Sequence, residues 1–205
     1  VVSLRTSAPA SDLDRDLLDR WRAGDKAPGR ELFGRYFDRL RRFFANKVND
    51  PDELVQATFM ALLKAADQFA GRASFRTYLF TIARHELYRH LRTLQRERQF
   101  DPEVSSIEQI QTSIGGRLIR NEEHRKLCAT LRLLPIEQQT LLELHYWEDL
   151  DAAALAEVFE IPVGTVRVRL HRARLALRDA MIAHDAAPAA ALVSIETVDA
   201  WARRS

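Results

Sequence analysis

The sequence is poor in the features that staple, anchor or catalyse. It holds one cysteine, Cys128, so no intrachain disulfide can form. Cys128 sits in an apolar helical run with Leu127 and Leu131, where a small buried hydrophobe is the expected role, ahead of a redox sensor. Glycine and proline number seven each, few enough to point to a mostly helical chain. No stretch approaches the ~18 apolar residues of a membrane span. The N-terminus lacks the apolar core of a signal peptide, so the expected compartment is the cytoplasm. Neither sign of charge dominates: the net charge is +2, although the pI is 8.9. No phosphate-cradling glycine loop, no Cys/His metal-ligand spacing and no nucleophile with a nearby base is found. The expectation is a chain with no catalysis, no metal and no cofactor.

What the sequence does have is segregated charge over a helical pattern. The clearest stretch is Leu150–Arg178, which reads as helix, tight turn and second helix. Leu155, Val158 and Phe159 give the first helix an apolar face, and Glu160, Ile161 and Pro162 end it, because Pro162 has no N–H and disfavours helical ψ before it. From about Val163, Val166, Leu170, Ala173 and Leu177 fall on one stripe at 100° per residue. Val168, His171 and Arg172 lie opposite, with Arg167 and Arg169 on the flanks. Arg174 and Arg178 continue the basic run, and no acid follows until Asp179. This order of elements and polarity matches a helix-turn-helix that seats its second helix in the DNA major groove; an amphipathic hairpin with a solvated arginine face is the plainer alternative. An apolar Val168 amid the cations suits a thymine methyl.

The rest of the chain is also helical. Residues 1–12 read as a flexible tail. A first helix begins near Leu13, buries Leu17, Leu18 and Trp21, and closes at Gly24. After an expected break at Pro28 and Gly29, a second helix runs from about Arg30 to Val48, with Leu32, Phe33, Tyr36, Phe37, Leu40, Phe43 and Phe44 as core. Pro51-Asp52-Glu53 opens a third helix. Its inner stripe is Val55, Phe59, Leu62, Ala66 and Phe69. Its outer face carries Glu53, Gln56, Ala57, Met60 and Lys64, and is either ordinary solvated surface or a docking surface for a partner. Ser74 is a plausible N-cap for a long basic helix. In that helix Arg76, Arg84, Arg89 and Arg92 interleave with Tyr78, Phe80 and Tyr88, a pattern suited to phosphates and unstacked bases of single-stranded nucleic acid, although Phe75 and Phe80 are expected in the core. Residues 99–116 hold three acids and no Lys or Arg, the composition of a linker that is either solvated or occupies a nucleic-acid channel. Two further helices, from Arg117 and after Pro135, lead into the helix-turn-helix. Residues 183–205 form an Ala/Pro-rich hinge and a short amphipathic segment, either a tail docked on its own domain or a regulator's site.

Two motif sets in this order, DELVQATF with FAGRASFRTYLFTIAR, and LRLLPIEQQTLLELHYWEDLDAAALAEVFEIPVGTVRVRLHRAR, resemble the extracytoplasmic-function sigma factors of bacterial RNA polymerase. The likeness spans about Leu13 to Met181. It implies an all-α fold of two small helical domains joined by a flexible linker: a tail over 1–12, sigma domain 2 over 13–98, an acidic linker over 99–118, sigma domain 4 over 119–182, and an extension over 183–205. It implies that Asp52, Glu53, Gln56 and Met60 dock on the clamp coiled coil of the polymerase largest subunit. Arg72, Ser74, Arg76, Tyr78, Arg84, His85, Tyr88, Arg89 and Arg92 would read and melt the −10 element. Thr165, Arg167, Val168, Arg169, His171, Arg172 and Arg174 would read the −35 element. Tyr78 stands where the family usually has Trp, His85 where it often has Asn, and Val168 where Ser is common. The implied partners are core RNA polymerase, at its clamp and flap, and promoter DNA. The resemblance leaves room for an anti-sigma factor, and implies a monomer when free. The competing readings are a stand-alone helix-turn-helix regulator, which residues 13–98 argue against, and a pure interaction protein, which the intact arginine pattern argues against.

Overall fold

The computed structural model describes residues 10–65, 73–95, 100–110 and 122–184. Among these, nine helices and no strand are found: α1 (Ala10–Arg22), α2 (Lys26–Ala45), α3 (Pro51–Ala65), α4 (Phe75–Leu94), α5 (Ile107–Ile110), α6 (Glu122–Leu131), α7 (Ile136–Tyr146), α8 (Ala152–Phe159) and α9 (Val163–Ala183). α1 packs on α2, α2 on α3 and α3 on α4; in the C-terminal half α6, α7 and α8 each pack on α9. The two halves also meet, with α4 lying against α8.

Local chemistry sets most of the helix starts. Asp25 caps α2 by accepting from the Ala27 N–H at 3.0 Å. Pro28 and Gly29 therefore lie inside the first turn of α2 and do not break the chain as expected. First-turn N–H groups have no intrahelical acceptor, so a proline there costs no hydrogen bond. Gly29 answers a different need: a Cβ on it would stand 2.4 Å from ring atoms of Trp21, so its absence lets α1 cross α2 closely. Ser74 caps α4, its Oγ accepting from the Thr77 N–H at 3.0 Å, as the sequence suggests.

The apolar stripes make one continuous core. Leu32, Tyr36, Leu40, Phe43 and Phe44 of α2 meet Val55, Phe59 and Leu62 of α3 and Leu79, Phe80, Ala83 and Leu87 of α4, and Val166, Leu170, Ala173 and Leu177 are buried on α9. Phe33 departs from expectation. It is 42% exposed and stacks on Phe37 and Phe59 at the edge of the core. It lies about 100° round the helix from Leu32, off the buried stripe.

The segment read as a linker takes a definite course where it is described. Pro135 sits at the N-cap of α7 and offers no side-chain acceptor. The orphan N–H groups of Ile136 and Glu137 instead donate to the carbonyls of Ser105 and Pro102, both at 2.9 Å. Ile107 of α5 is fully buried beside them. Residues 101–110 thus lie seated on the start of α7 and are not fully solvated. The remainder of the linker, the tail over 1–9 and the extension from 185 lie outside the described residues.

Candidate nucleic-acid interface

The turn between α8 and α9 is built by backbone geometry. Asp151 caps α8 by accepting from Ala154 N–H at 2.8 Å. Glu160 ends it in the left-handed region at φ 58, and Pro162 restarts the chain as α9. Burial of Val166, Leu170, Ala173 and Leu177 turns the opposite side of α9 outward. Arg167, Val168, His171 and Arg172 are all exposed, Val168 by 50%.

The other three positions expected to read DNA are held inside the fold. Thr165 is half-buried. Arg169 pairs with Glu137 of α7 and, at 3.1 Å, with Glu103 of the linker. Burial raises the Glu137 carboxyl, with the Arg169 guanidinium opposing it. Arg174 donates from Nε to the Tyr146 hydroxyl at 2.8 Å, and its Nη2 lies 3.1 Å from His145 Nε2. Periodicity assigns these arginines to a face; α7 supplies partners that periodicity does not reveal.

The basic helix α4 is split the same way. Arg89 and Arg92 are exposed; Arg89 pairs with Glu86, and Arg92 lies 5.9 Å from the Phe100 ring centroid. His85 is exposed, whereas Arg76 is half-buried. The Tyr78 hydroxyl donates to the Ala65 carbonyl at 3.0 Å. Tyr88 packs edge-on to Phe100, and burial raises its phenol above the ordinary value. Ser74 acts as the helix cap described above. Arg72 lies outside the described residues.

Arg84 is the main surprise. It is only 8% exposed, lies 5.5 Å from the Tyr88 ring centroid and 5.4 Å from that of Phe159, and donates from Nη2 to Glu160 Oε2 at 2.7 Å. Its Nε is buried without a hydrogen-bond partner. His85 Nε2 also lies 3.2 Å from Glu160 Oε2. Burial by itself would raise the Glu160 carboxyl, but hydrogen bonds and charge from His85 and Arg84 outweigh it and hold the carboxyl below the usual glutamate range. Nearby, Ala73, Ser74, Arg76 and Thr77 face Asp149, Asp151, Ala154 and Glu157 across a polar cleft of about 260 Å³.

Two further pairs cross between the halves. Lys47 is fully buried, donating from Nζ to the Phe43 carbonyl at 2.5 Å and to Glu143 of α7. Glu143 also accepts from Gln139 Nε2 at 2.8 Å. Burial pushes the Lys47 ammonium below its ordinary value, against the opposing pull of Glu143. Arg39 reaches Glu148 at 3.0 Å. Sequence reading missed Lys47–Glu143, Arg39–Glu148 and Arg84–Glu160, because their partners lie 76 to 109 residues apart.

On the outer side of α3, Asp52, Glu53, Gln56 and Met60 are exposed, Met60 by 49%. Asp52 accepts from Arg41 Nε at 2.9 Å. Leu63, one turn after Met60, is 45% exposed and extends this face with apolar surface. Among the described residues no cluster suited to a metal ion is found and no helix is long and apolar enough to cross a membrane.

Comparison with known proteins agrees with this layout. Sigma-70 region 2 matches residues 32–97, and sigma-70 region 4 matches residues 124–177. The chain is 30% identical over 176 residues to the ECF RNA polymerase sigma-E factor of Escherichia coli K12, covering 80% of this chain and 92% of that relative. To the protein of the same name from Haemophilus influenzae it is 28% identical over 173 residues, covering 78% and 91%. The solved structure of CnrH in complex with the cytosolic domain of CnrY superposes with a TM-score of 0.63 at 25% identity, covering 83% of this chain and 97% of that one. The sigma factor RpoE of Bartonella quintana, in complex with the anti-sigma factor NepR, shares the fold with a TM-score of 0.57 at 21% identity, covering 77% and 98%. With sigma-70 regions 2 and 4 matched in order and a basic face exposed on α9, the chain belongs to the extracytoplasmic-function sigma factors, which direct RNA polymerase to promoters.

Proposed function

We propose that this sigma factor divides promoter reading between two faces, with Arg167, Val168, His171 and Arg172 of α9 choosing the −35 bases. The observation that carries this is the outward quartet on α9, in contrast to Arg169 and Arg174, which are held by side chains of α7. Arginine forks discriminate guanine edges, and Val168 offers a methyl-sized apolar contact. Arg169 and Arg174 then act as struts that fix the pitch of α9, with Thr165 in its first turn. On α4, the exposed side chains of Arg89, Arg92 and His85 meet the −10 strand, with Ser74 setting the helix start. Arg72, Arg76, Tyr78, Arg84 and Tyr88 complete that element.

Docking falls to the α3 face. Asp52, Glu53, Gln56 and Met60, extended by Leu63, present acid, amide and apolar contacts to the clamp coiled coil, while the C-terminal domain meets the flap. Polymerase supplies the chemistry; the sigma subunit supplies the address and the melting, acts in the cytoplasm, and is a monomer when free. The boundaries at 13–98, 99–118 and 119–182 follow this division. An anti-sigma factor is a fitting further partner, since the similar RpoE was solved in complex with the anti-sigma factor NepR.

The test is Arg172→Ala. Loss of one bidentate base contact costs about 1–3 kcal/mol of discrimination, so selectivity at one −35 position falls about five- to 150-fold while core binding stays unchanged. Unchanged −35 selectivity, or a parallel loss of core binding, overturns the assignment.

A further inference from the structure

We propose that Glu160 is an intramolecular latch: it holds the free chain closed with the helix-turn-helix domain over α4, and must be displaced before α4 can take single-stranded DNA. The proposal rests on the assignment of α4 to the −10 strand.

The first observation is conformational. Glu160 ends α8 at φ 58, a left-handed position that glycine fills without cost and other residues fill under strain. The cap itself uses only backbone: the Glu160 N–H donates to the Ala156 and Glu157 carbonyls. The turn therefore gains nothing from a glutamate side chain. That side chain reaches across the chain to Arg84 at 2.7 Å and His85 at 3.2 Å.

The second observation concerns what is covered. Arg84 is enclosed between Tyr88 of its own helix and Phe159 of α8, with a buried Nε left unpaired. A guanidinium offers five donors, and the closed form leaves this one without an acceptor. The two sides of the neighbouring cleft repeat the arrangement: Arg76 with the hydroxyls of Ser74 and Thr77 on the α4 side, and Asp149, Asp151 and Glu157 on the other. Carboxylates thus stand where phosphates of a bound strand would lie.

The third observation is that the contact is suited to reopening. The crossing pairs Lys47–Glu143, Arg39–Glu148 and Arg84–Glu160 are charged, and each regains hydration when the halves part. Docking of α3 on the clamp and of the C-terminal domain on the flap would pull against this closed form.

The experiment compares full-length parent, Glu160→Gly and Glu160→Gln. Compactness is read by small-angle X-ray scattering, and binding by a fluorescent single-stranded DNA of mixed sequence. Glu160→Gly removes the carboxylate and relieves the backbone, so it folds at least as stably as the parent. Glu160→Gln removes the charge and keeps the side chain. Both should expand the chain and tighten DNA binding by about three- to tenfold, the range for one charge-assisted contact with a half-exposed partner. A parent-like radius in both variants overturns the latch, as does a change in Glu160→Gly alone, which would trace the effect to backbone strain. Arg89→Ala/Arg92→Ala, in the parent, tests the α4 assignment separately. If that pair leaves DNA binding unchanged, the −10 assignment fails, and the masking role of Glu160 fails with it. If the pair weakens binding while the Glu160 variants stay compact, only the latch fails.

Discussion

The buried Lys47–Glu143 pair makes the closed arrangement quantitatively testable. Lys47 is fully buried, and its ammonium donates to the Phe43 carbonyl and Glu143 and lies 4.2 Å from the Phe43 ring centroid. In Lys47→Met, Glu143 keeps Gln139 and a longer contact to Asn46 at 3.4 Å, but loses the buried ammonium paired with it. Leaving one member of a buried pair uncompensated costs about 3–5 kcal/mol in the closed form. Opening the halves hydrates Glu143 and avoids that cost, so the loss in global stability is capped by the free energy of closing. Two readouts are therefore needed. Equilibrium urea unfolding gives the loss of stability. Scattering shows whether the radius of gyration rises above the roughly 17 Å of a compact chain of 205 residues. The double variant Lys47→Met/Glu143→Leu removes both charges and should lie closer to the parent than either single change, with coupling of about 2 kcal/mol or more. Single variants within ~0.5 kcal/mol of the parent, additive in combination and unchanged in radius, would refute a desolvated pair across the two halves.

Other perturbations test separate parts of the account. Burial, with Glu143 adding to it and Lys47 opposing, pushes the Cys128 thiol from 9.0 to about 12. At pH 8 its thiolate is then scarcer by about a thousandfold, so alkylation should be slow in the native chain and fast in urea. Because the unfolded thiol ionises first, Cys128 should also lower stability as pH rises from about 9 towards 12, by up to ~1.4 kcal/mol per pH unit; a flat profile in Cys128→Ala against a falling one in the parent checks the sign. Ile107→Ala should cost about 2–5 kcal/mol in urea unfolding if residues 101–110 are seated on α7 as described, whereas a solvated linker would tolerate it.

Helical periodicity carried much of the fold and one side of the site. The outward quartet Arg167, Val168, His171 and Arg172 follows from the buried stripe of α9, because a 100° step fixes both faces at once. Ser74 was legible as a cap for the same local reason. Where the pattern failed, the deciding partner lay elsewhere in the chain or a second rule competed. Pro28 looked like a break, but Asp25 starts the helix just upstream. Residues 101–110 looked like a linker by composition; the clue to their docking was Pro135, which cannot cap α7 and so leaves N–H groups for the Pro102 and Ser105 carbonyls. Arg169, Arg174 and Arg84 sat in basic runs that suggested free cations. Glu137, Tyr146 and Glu160, which engage them, are set by tertiary packing and have no signature at helical spacing.

The central claim is that this chain gives polymerase a promoter address through two faces acting together. Its most direct measurement is transcription in vitro with purified core polymerase and a library of promoter sequences, followed by sequencing of the transcripts. The account predicts initiation from a subset sharing a −35 and a −10 element at fixed spacing, with Arg172→Ala relaxing the −35 element alone. No initiation from any promoter, together with tight binding of the protein by itself to duplex DNA, would contradict it.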